Sequence, residues 1–326
     1  MRAVAHDAYG APGQVLGLRD VDRPVMRNDR VLLRVCAAGV DMGVWHLVTG
    51  LPYLVRVGTG LRGPRSRIRG MDVAGVVEAV GAKVTGLRPG DEVFGVCDGS
   101  FAEYALARPD RLAPKPPSLT FEQAAAVPVS AVTALRGIRD IGRVRPGHSV
   151  LVIGAGGGVG TYAVQMAKAF GATVTGVCGP TKVDLVASIG ADDVIDYTRE
   201  DFTASGRRWD VIVDIVDIAG NRPLSRLRRA LAPRGTLVVL GGEDGGRWFG
   251  GLDRGLRMLL LSPFLRQRLR APVTFLRPTD LSTLTDLIES GRLRPVVDRT
   301  YLLGEAPEAV EHLRAGRVRG KAVVTV

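Results

Sequence analysis

Residues 150–179 read VLVIGAGGGVGTYAVQMAKAFGATVTGVCG, and this stretch decides the fold. It starts with a short aliphatic run, residues 150–153, which is typical of a parallel strand covered on both faces. A glycine-rich turn follows, and apolar residues then recur at helical spacing, at Val159, Ala163, Met166, Ala167 and Phe170. Residues 173–177 form a second apolar run. The pattern predicts one strand–helix–strand unit.

The turn inside this unit has the composition of a dinucleotide-binding loop. Ala155, Gly157 and Gly160 occupy the three fingerprint positions, with Ala in place of the first Gly. Small residues let the backbone approach a pyrophosphate, and the unpaired amides at the start of the helix point at the phosphates. We therefore expect Ala155, Gly157, Gly158, Val159 and Gly160 to bind a dinucleotide cofactor.

This stretch has two other interpretations. A glycine-rich turn also occurs where a strand simply meets a helix closely, although the setting between two strands favours the cofactor loop. Residues 149–167 carry no charge over 19 positions, a length that can cross a bilayer, but five glycines and a strand-like start argue against a spanning helix.

Length and composition indicate a two-domain enzyme. The chain has 326 residues, of which 46% are hydrophobic, enough for two cores. The N-terminal sequence MRAVAHDAYG lacks the apolar core of a signal peptide, so we expect a cytoplasmic protein. Three cysteines, Cys36, Cys97 and Cys178, show no paired spacing, and we expect reduced thiols.

The net charge of +11 raises the question of an anionic partner. Arginines concentrate in residues 54–69 and 247–270, but neither segment has a nucleic-acid motif or interleaved aromatics for stacking. We expect no nucleic-acid and no membrane partner. The two segments remain candidates for a solvated surface, the entrance for an anionic substrate or a lid.

The first third of the chain has β character. Apolar runs bounded by turn residues predict strands at 31–35, 72–80, 92–96 and 101–106. Residues 121–139 have helical periodicity, with Pro128 predicted to kink or divide the helix.

An alternation of strands and helices continues beyond the glycine turn. We expect helices at 182–189 and 221–231, strands at 193–196, 210–215, 236–240 and 273–276, and two short helices within 245–270. Strands at 296–302 and 321–326 flank a helix at 307–314 and are expected to rejoin the first module. The predicted domains are therefore residues 1–122 with 278–326, and residues 123–277.

Several motifs together resemble a known family. These are GDEVFGV, AAAVPVSAVTAL, the stretch quoted above, ADDVIDY, LVVLGG and RGKAVV, in this order. The chain resembles the medium-chain dehydrogenase/reductase superfamily, specifically its zinc-free quinone oxidoreductase-like branch, which includes the zeta-crystallin-like NADPH:quinone reductases. The resemblance implies an α/β protein with a GroES-like β-rich catalytic domain and a Rossmann cofactor domain built on a doubly wound parallel sheet. It also implies an active site between the domains and a homodimer.

The zinc ligands of the related alcohol dehydrogenases are replaced at the matching positions. Asp41 stands where a Cys is expected, and Met71 and Asp72 replace a His and a Glu. The last cysteine position falls in a segment that offers only Ser130 and Thr133. This set differs from the Cys, His and carboxylate set that catalytic zinc favours, so we expect no metal.

Hydride transfer without a Lewis acid is easiest to a conjugated acceptor, whose developing charge is spread and held by hydrogen bonds. A quinone or an α,β-unsaturated carbonyl compound, such as an enone or enoyl substrate, is therefore the expected substrate. By family position the candidate catalytic residues are Asp41, Trp45, Tyr53 and Thr133. A packing role is equally open for Trp45 and Thr133.

The second strand of the Rossmann unit indicates which nicotinamide cofactor is used. A site for NAD places an acidic residue at the end of this strand. Here TGVCGPTK brings Thr181 and Lys182 instead, which suits the 2′-phosphate of NADPH. The resemblance adds Tyr197 near that phosphate, Lys321 near the ribose and Gly241 at a strand end. The sequence leaves open a plain solvated role for Lys182.

Two alternatives to this reductase remain open at the level of sequence. A biosynthetic pathway could use the same scaffold on one dedicated intermediate. The chain could also be a non-catalytic, crystallin-like protein that binds nucleic acid.

Overall fold

The computed structural model describes residues 1–215, 223–241, 246–272 and 276–326. The chain divides into two compact units, Met1–Val132 with Leu276–Val326, and Thr133–Phe275. The second unit is thus inserted into the first, and it starts further along the chain than residue 123.

The first unit begins with short strands and helices around one long central strand. In chain order its elements are β1 (Arg2–Ala5), α1 (Pro12–Val15), β2 (Gly17–Asp20), β3 (Val31–Val40), α2 (Met42–Thr49), α3 (Val55–Thr59), β4 (Asp72–Val80), β5 (Glu92–Val96), β6 (Tyr104–Ala107), β7 (Leu112–Pro114) and α4 (Phe121–Ala125). Strand β3 extends five residues beyond the predicted 31–35, and its last four residues are buried.

The helix predicted over residues 121–139 is divided at Pro128, as expected. Thr120 caps α4 through a capping box with Gln123. Helix α5 (Pro128–Leu135) starts at the proline, because a proline lacks the amide that an interior helical position would use. A π-helical turn, Arg136–Ile141, continues from α5.

The second unit alternates strands and helices. Its elements are β8 (Ser149–Ile153), α6 (Gly158–Ala169), β9 (Thr173–Cys178), α7 (Val183–Ser188), β10 (Asp193–Asp196), β11 (Trp209–Asp214), α8 (Leu224–Arg229), β12 (Leu231–Val239), α9 (Leu252–Leu261) and β13 (Arg268–Arg270). The six strands that the structure describes in this unit form one sheet in the order β10-β9-β8-β11-β12-β13, and all neighbours are parallel. This is the doubly wound order, in which β8 begins the first half and β11 the second.

The last described strand of this sheet, β13, lies before the strand predicted at 273–276. The sixth strand is Arg268–Arg270, which pairs with Thr236–Val238, and residues 273–275 lie outside the described part of the chain. This strand was not predicted because it contains one buried leucine, Leu269, between two exposed arginines and therefore has no apolar run. The two helices expected within 245–270 appear as α9 and a 3₁₀ turn, Ser262–Phe264, which starts next to Pro263.

The C-terminal segment returns to the first unit, as predicted. It contains α10 (Pro278–Glu289), β14 (Val297–Leu302), α11 (Ala306–Arg314) and β15 (Lys321–Thr325). Strand β15 pairs antiparallel with the end of β3, and the sheet runs β14-β15-β3-β4-β5-β7, with β6 also paired to β3. This pairing brings Lys321 beside the carboxyl end of β3.

Among the described residues, no helix combines the length and the apolar composition that are needed to span a bilayer.

The backbone leaves no room for a side chain on Gly160, where β8 meets α6. A Cβ on Gly160 would overlap the carbonyl oxygen of Gly154 and lie 2.8 Å from the Cα of Ala155. A Cβ on Gly157 would have only that carbonyl oxygen nearby, at 3.5 Å. Close packing therefore requires a glycine at position 160, whereas a methyl group on residue 157 would enter open space.

We predict that Gly160→Ala lowers the free energy of unfolding by at least about 2 kcal/mol, because backbone atoms must move apart to admit the methyl group. Gly157→Ala is the matched control and should cost less than about 1 kcal/mol. Urea denaturation of both variants measures the difference. Equal stability of the two variants would contradict the close packing.

Candidate functional site

The glycine turn of the second unit forms an open cradle at the carboxyl end of β8. The amides of Gly154 and Ala155 both donate to Val177 O at 3.0 Å, and this fixes the turn against β9. Gly157 is the N-cap of α6 and supplies no side-chain acceptor. The first amides of the helix thus point into the space beside Gly157, which suits an anionic group.

Lys182 and Tyr197 lie next to this cradle. A Cβ on Gly156 would be 2.7 Å from Lys182 Cβ and 2.8 Å from its Cδ, so the lysine stem crosses over the turn. A Cβ on Gly179 would be 3.5 Å from the hydroxyl and from a ring carbon of Tyr197. Thr181 is exposed in the 3₁₀ turn Pro180–Lys182 that follows β9. The structure therefore gathers these predicted residues around the glycine turn.

This arrangement fits a phosphorylated dinucleotide. The uncapped helix amides provide donors for a pyrophosphate, and Lys182 provides a cation at the end of β9, where Gly179 replaces an acidic residue. Gly241 follows β12 and is half-buried, so its predicted contact with the cofactor stays a prediction.

The first unit contains a buried ionic cluster around Asp72. This residue begins β4 and is 0% exposed, and its Oδ2 accepts a hydrogen bond from Lys321 Nζ at 3.0 Å. Its Oδ1 accepts from the amide of Val129 at 2.8 Å. Lys321 itself is 2% exposed. The pair holds the start of β15 to the start of β4.

Gly39 makes room for this cluster on β3. A Cβ at that position would overlap the carbonyl oxygen of Ala125 and lie 2.8 Å from both Cβ and Oδ2 of Asp72. A side chain on Gly39 would therefore displace the Asp72 carboxylate, to which Lys321 donates its hydrogen bond.

Asp41 is the second carboxyl of the cluster. It caps α2, with Oδ1 accepting from the amide of Val44 at 3.2 Å, while its buried Oδ2 has no hydrogen-bond partner among the described residues. Burial, and then the charge of Asp72, raise the pKa of Asp41 to about 6, although Lys321 opposes the shift. Burial likewise raises the pKa of Asp72. Asp41 is thus a carboxyl that titrates closer to neutrality than an ordinary aspartate.

The other predicted catalytic residues have packing partners of their own. Trp45 packs against the core of the first unit, and the Arg314 guanidinium lies 4.8 Å from its ring centroid. The Arg56 guanidinium lies 4.8 Å from the Tyr53 ring. These contacts favour a packing role for Trp45. Thr133 lies in α5 as the first residue of the second unit, and its predicted role stays a prediction.

The resemblance implies that Lys321 lies near the cofactor ribose, but its ammonium group is occupied by Asp72 within its own unit. Sequence reasoning missed this pair and treated Asp72 only as a replaced zinc ligand. The signals available for this pair were two charged residues next to apolar strands. Asp72 begins the run DVAGVV, and Lys321 precedes the run AVVTV.

The donor atoms in the cluster differ from those of a catalytic zinc site. No group of three or more His, Cys, Asp or Glu side chains suited to a metal occurs among the described residues. The cluster contains two carboxyl groups, those of Asp41 and Asp72. The Lys321 ammonium already pairs with Asp72. The residues present therefore do not fit zinc.

The three cysteines are free thiols. Burial raises the pKa of Cys178 to about 11 and raises that of Cys97 further. Burial therefore favours the protonated thiol at both positions.

We predict a pH-dependent stability difference between the wild type and Asp41→Asn. The folded protein holds a proton on Asp41 up to a pKa of about 6, whereas the unfolded chain releases it near 3.8. The wild type therefore loses stability as pH rises through this window, by about 1–3 kcal/mol relative to the variant. The introduced asparagine keeps an acceptor for the Val44 amide, so the cap survives. Denaturant unfolding from pH 4 to 7 measures the difference, and a constant difference over that range would contradict the shifted pKa.

Comparisons with known proteins identify the family to which the chain belongs. Residues 27–117 match the family model described as alcohol dehydrogenase GroES-like domain, and residues 189–324 match the model described as zinc-binding dehydrogenase. A chloroplastic quinone oxidoreductase of Triphysaria versicolor is 30% identical over 99% of this chain and 98% of its own. A 2-methylene-furan-3-one reductase of Solanum lycopersicum is 31% identical over 99% of this chain and 79% of its own.

A solved structure shows the same architecture. A mycobacterial protein in complex with NADPH superposes with a TM-score of 0.84 and 26% identity over the whole of both chains. The GroES-like and Rossmann parts are both present, and the relatives match over nearly the full chain. The protein therefore belongs to the medium-chain dehydrogenase/reductase superfamily and is an oxidoreductase of the NAD(P)H-using kind.

Proposed function

We propose that this protein is an NADPH-dependent reductase that transfers hydride to a quinone or to an α,β-unsaturated carbonyl compound without zinc. The observation that carries the proposal is the position of Lys182, whose stem lies across the glycine turn at Gly156. A cation at this place distinguishes a phosphorylated ribose from a free one.

The cofactor would be held by residues of the second unit. The amides at the start of α6 would bind the pyrophosphate, with Ala155, Gly157 and Gly160 keeping the backbone free of side chains. Lys182 would pair with the 2′-phosphate, and the Tyr197 hydroxyl and Thr181 would donate hydrogen bonds to it. The absence of an acidic side chain at Gly179 removes the group that would repel this phosphate.

The proposed chemistry follows from the donor set of the first unit. Bound NADPH supplies a hydride, and a conjugated acceptor takes it without a Lewis acid because the developing charge is delocalised. Asp41, with a pKa of about 6, is a group able to hold or release a proton near neutral pH. We therefore propose Asp41 as the leading catalytic candidate, ahead of Trp45, Tyr53 and Thr133.

The relatives support the substrate class. One is named for quinones and the other for 2-methylene-furan-3-one, which is itself a conjugated ketone. The structural neighbour that was solved with NADPH supports the cofactor. A homodimer and a cytoplasmic location stay predictions, which light scattering and cell fractionation test.

Lys182→Ala should weaken NADPH binding by about 1.5–3 kcal/mol and leave NADH binding within about 0.5 kcal/mol, because only the phosphate pairs with the ammonium. Lys83→Ala removes an exposed lysine of the first unit and serves as the control. Calorimetric titration of both coenzymes gives the two affinities. Equal losses for NADPH and NADH would refute the assignment of Lys182.

The purified enzyme should oxidise NADPH in the presence of quinones and enones and should be inactive on simple secondary alcohols with NADP⁺. Activity should survive exhaustive treatment with a zinc chelator, since the donor atoms around Asp41 and Asp72 do not form a zinc site among the described residues. Spectrophotometry at the NADPH absorption band follows both reactions. Loss of activity on chelation, restored by added zinc, would show that the proposed mechanism is wrong.

A further inference from the structure

Arg69 is a buried arginine of the first unit and the last residue of the arginine-rich segment 54–69. It is 5% exposed, whereas Arg62, Arg65 and Arg67 of the same segment are exposed. A guanidinium group keeps its positive charge in proteins, and a buried charge is costly unless an opposite charge compensates it. The surroundings of this side chain therefore decide whether the charge is compensated within the chain.

A neutral histidine holds Arg69 in place. The Nε of Arg69 donates a hydrogen bond to Nε2 of His6 at 2.7 Å, and His6 is 0% exposed. The other ring nitrogen, Nδ1, lies 2.9 Å from the carbonyl oxygen of Ala8, so Nδ1 carries the proton and Nε2 is the acceptor. Burial lowers the pKa of His6, which favours this neutral form. The histidine thus orients the guanidinium without supplying a negative charge.

No acidic side chain in the described part of the chain pairs with this guanidinium. Asp72, three positions further along the sequence, pairs with Lys321. Asp7 pairs instead with Arg19 and Arg67. The terminal nitrogen Nη2 of the buried arginine is itself buried and has no hydrogen-bond partner among the described residues. Both the charge and one strong donor are therefore unmatched.

A second buried donor lies next to the residue that follows Arg69. Ser100 is 0% exposed, and its hydroxyl has no hydrogen-bond partner among the described residues. A Cβ on Gly70 would overlap this hydroxyl oxygen, so Ser100 lies directly against the backbone at Gly70. Two unmatched polar groups in one short stretch indicate a ligand, because buried polar groups are normally paired.

The ligand that matches Arg69 is a small anion. A neutral acceptor would satisfy Nη2 as a donor but would leave the charge uncompensated, whereas an anion does both. The 5% of this residue that reaches the surface gives access to a small ion and excludes a bulky organic one. The first unit compensates its buried Lys321 with Asp72 from within the chain, and Arg69 lacks such a partner among the described residues.

We propose that Arg69 binds a small monovalent anion, of the size of chloride, inside the first unit. The anion accepts a hydrogen bond from Nη2 and neutralises the guanidinium that His6 orients. The site would stabilise the folded first unit, since an ion that binds only the folded state shifts the equilibrium toward it. This inference is independent of the proposed reaction.

Urea denaturation of the full-length protein at increasing chloride concentration tests the site. Sodium gluconate keeps the ionic strength constant, because gluconate is an anion too large for the access at Arg69. Between about 10 and about 300 mM chloride, we expect the equilibrium constant for folding to rise at least about threefold. Arg69→Gln removes the positive charge and should abolish this dependence on chloride.

Arg62→Gln is the matched control, since it removes an exposed arginine of the same segment and should keep the wild-type dependence. Chloride-35 NMR of the wild type is a second measurement, which applies even if Arg69→Gln does not fold. The protein should broaden the chloride line, and the small anion nitrate should reverse the broadening more effectively than gluconate.

Three results would overturn the proposal. The first is an equal urea midpoint of the wild type in chloride and in gluconate. The second is a chloride dependence that Arg69→Gln keeps or that Arg62→Gln loses. The third is a chloride line that gluconate narrows as well as nitrate does, which would assign the ion to surface arginines. Neither measurement requires a coenzyme or a substrate, so failure here would leave the proposed function untouched.

Discussion

The close contact between the end of β8 and the start of α6 is the constraint on which the cofactor domain depends. Gly160 must lack a side chain for the helix to approach the carbonyl of Gly154, and this approach aims the free helix amides over the carboxyl edge of the sheet. The sheet order brings β9 alongside, so that Gly179 and Lys182 border the same turn. Packing and the proposed selectivity for a phosphorylated cofactor thus have one geometric origin.

The first unit is organised by a buried charge pair. Asp72 and Lys321 are both withdrawn from water, and each compensates the desolvation of the other, with the Val129 amide as an additional donor. Removing one partner would leave the other charge buried and uncompensated. Asp41 lies in the field of this pair, and its raised pKa follows from burial beside a second carboxylate. Lys321 therefore supplies the positive charge of this cluster.

Sequence reasoning predicted what depends on local pattern. The run from 150 to 179 specified β8, α6 and β9, and Pro128 divided the helix as expected. It failed where the structure depends on contacts between distant residues, since Lys321 and Asp72 are 249 positions apart. The strand Arg268–Arg270 was missed because one buried leucine between two arginines carries no periodic signal.

The central claim is that the open glycine turn and Lys182 form a site for a phosphorylated nicotinamide dinucleotide. Isothermal titration calorimetry of the purified wild-type protein with NADPH and with NADH tests it most directly. The account predicts saturable binding of one NADPH per chain, tighter than that of NADH. No heat with either coenzyme, or preferential binding of NADH, would contradict it.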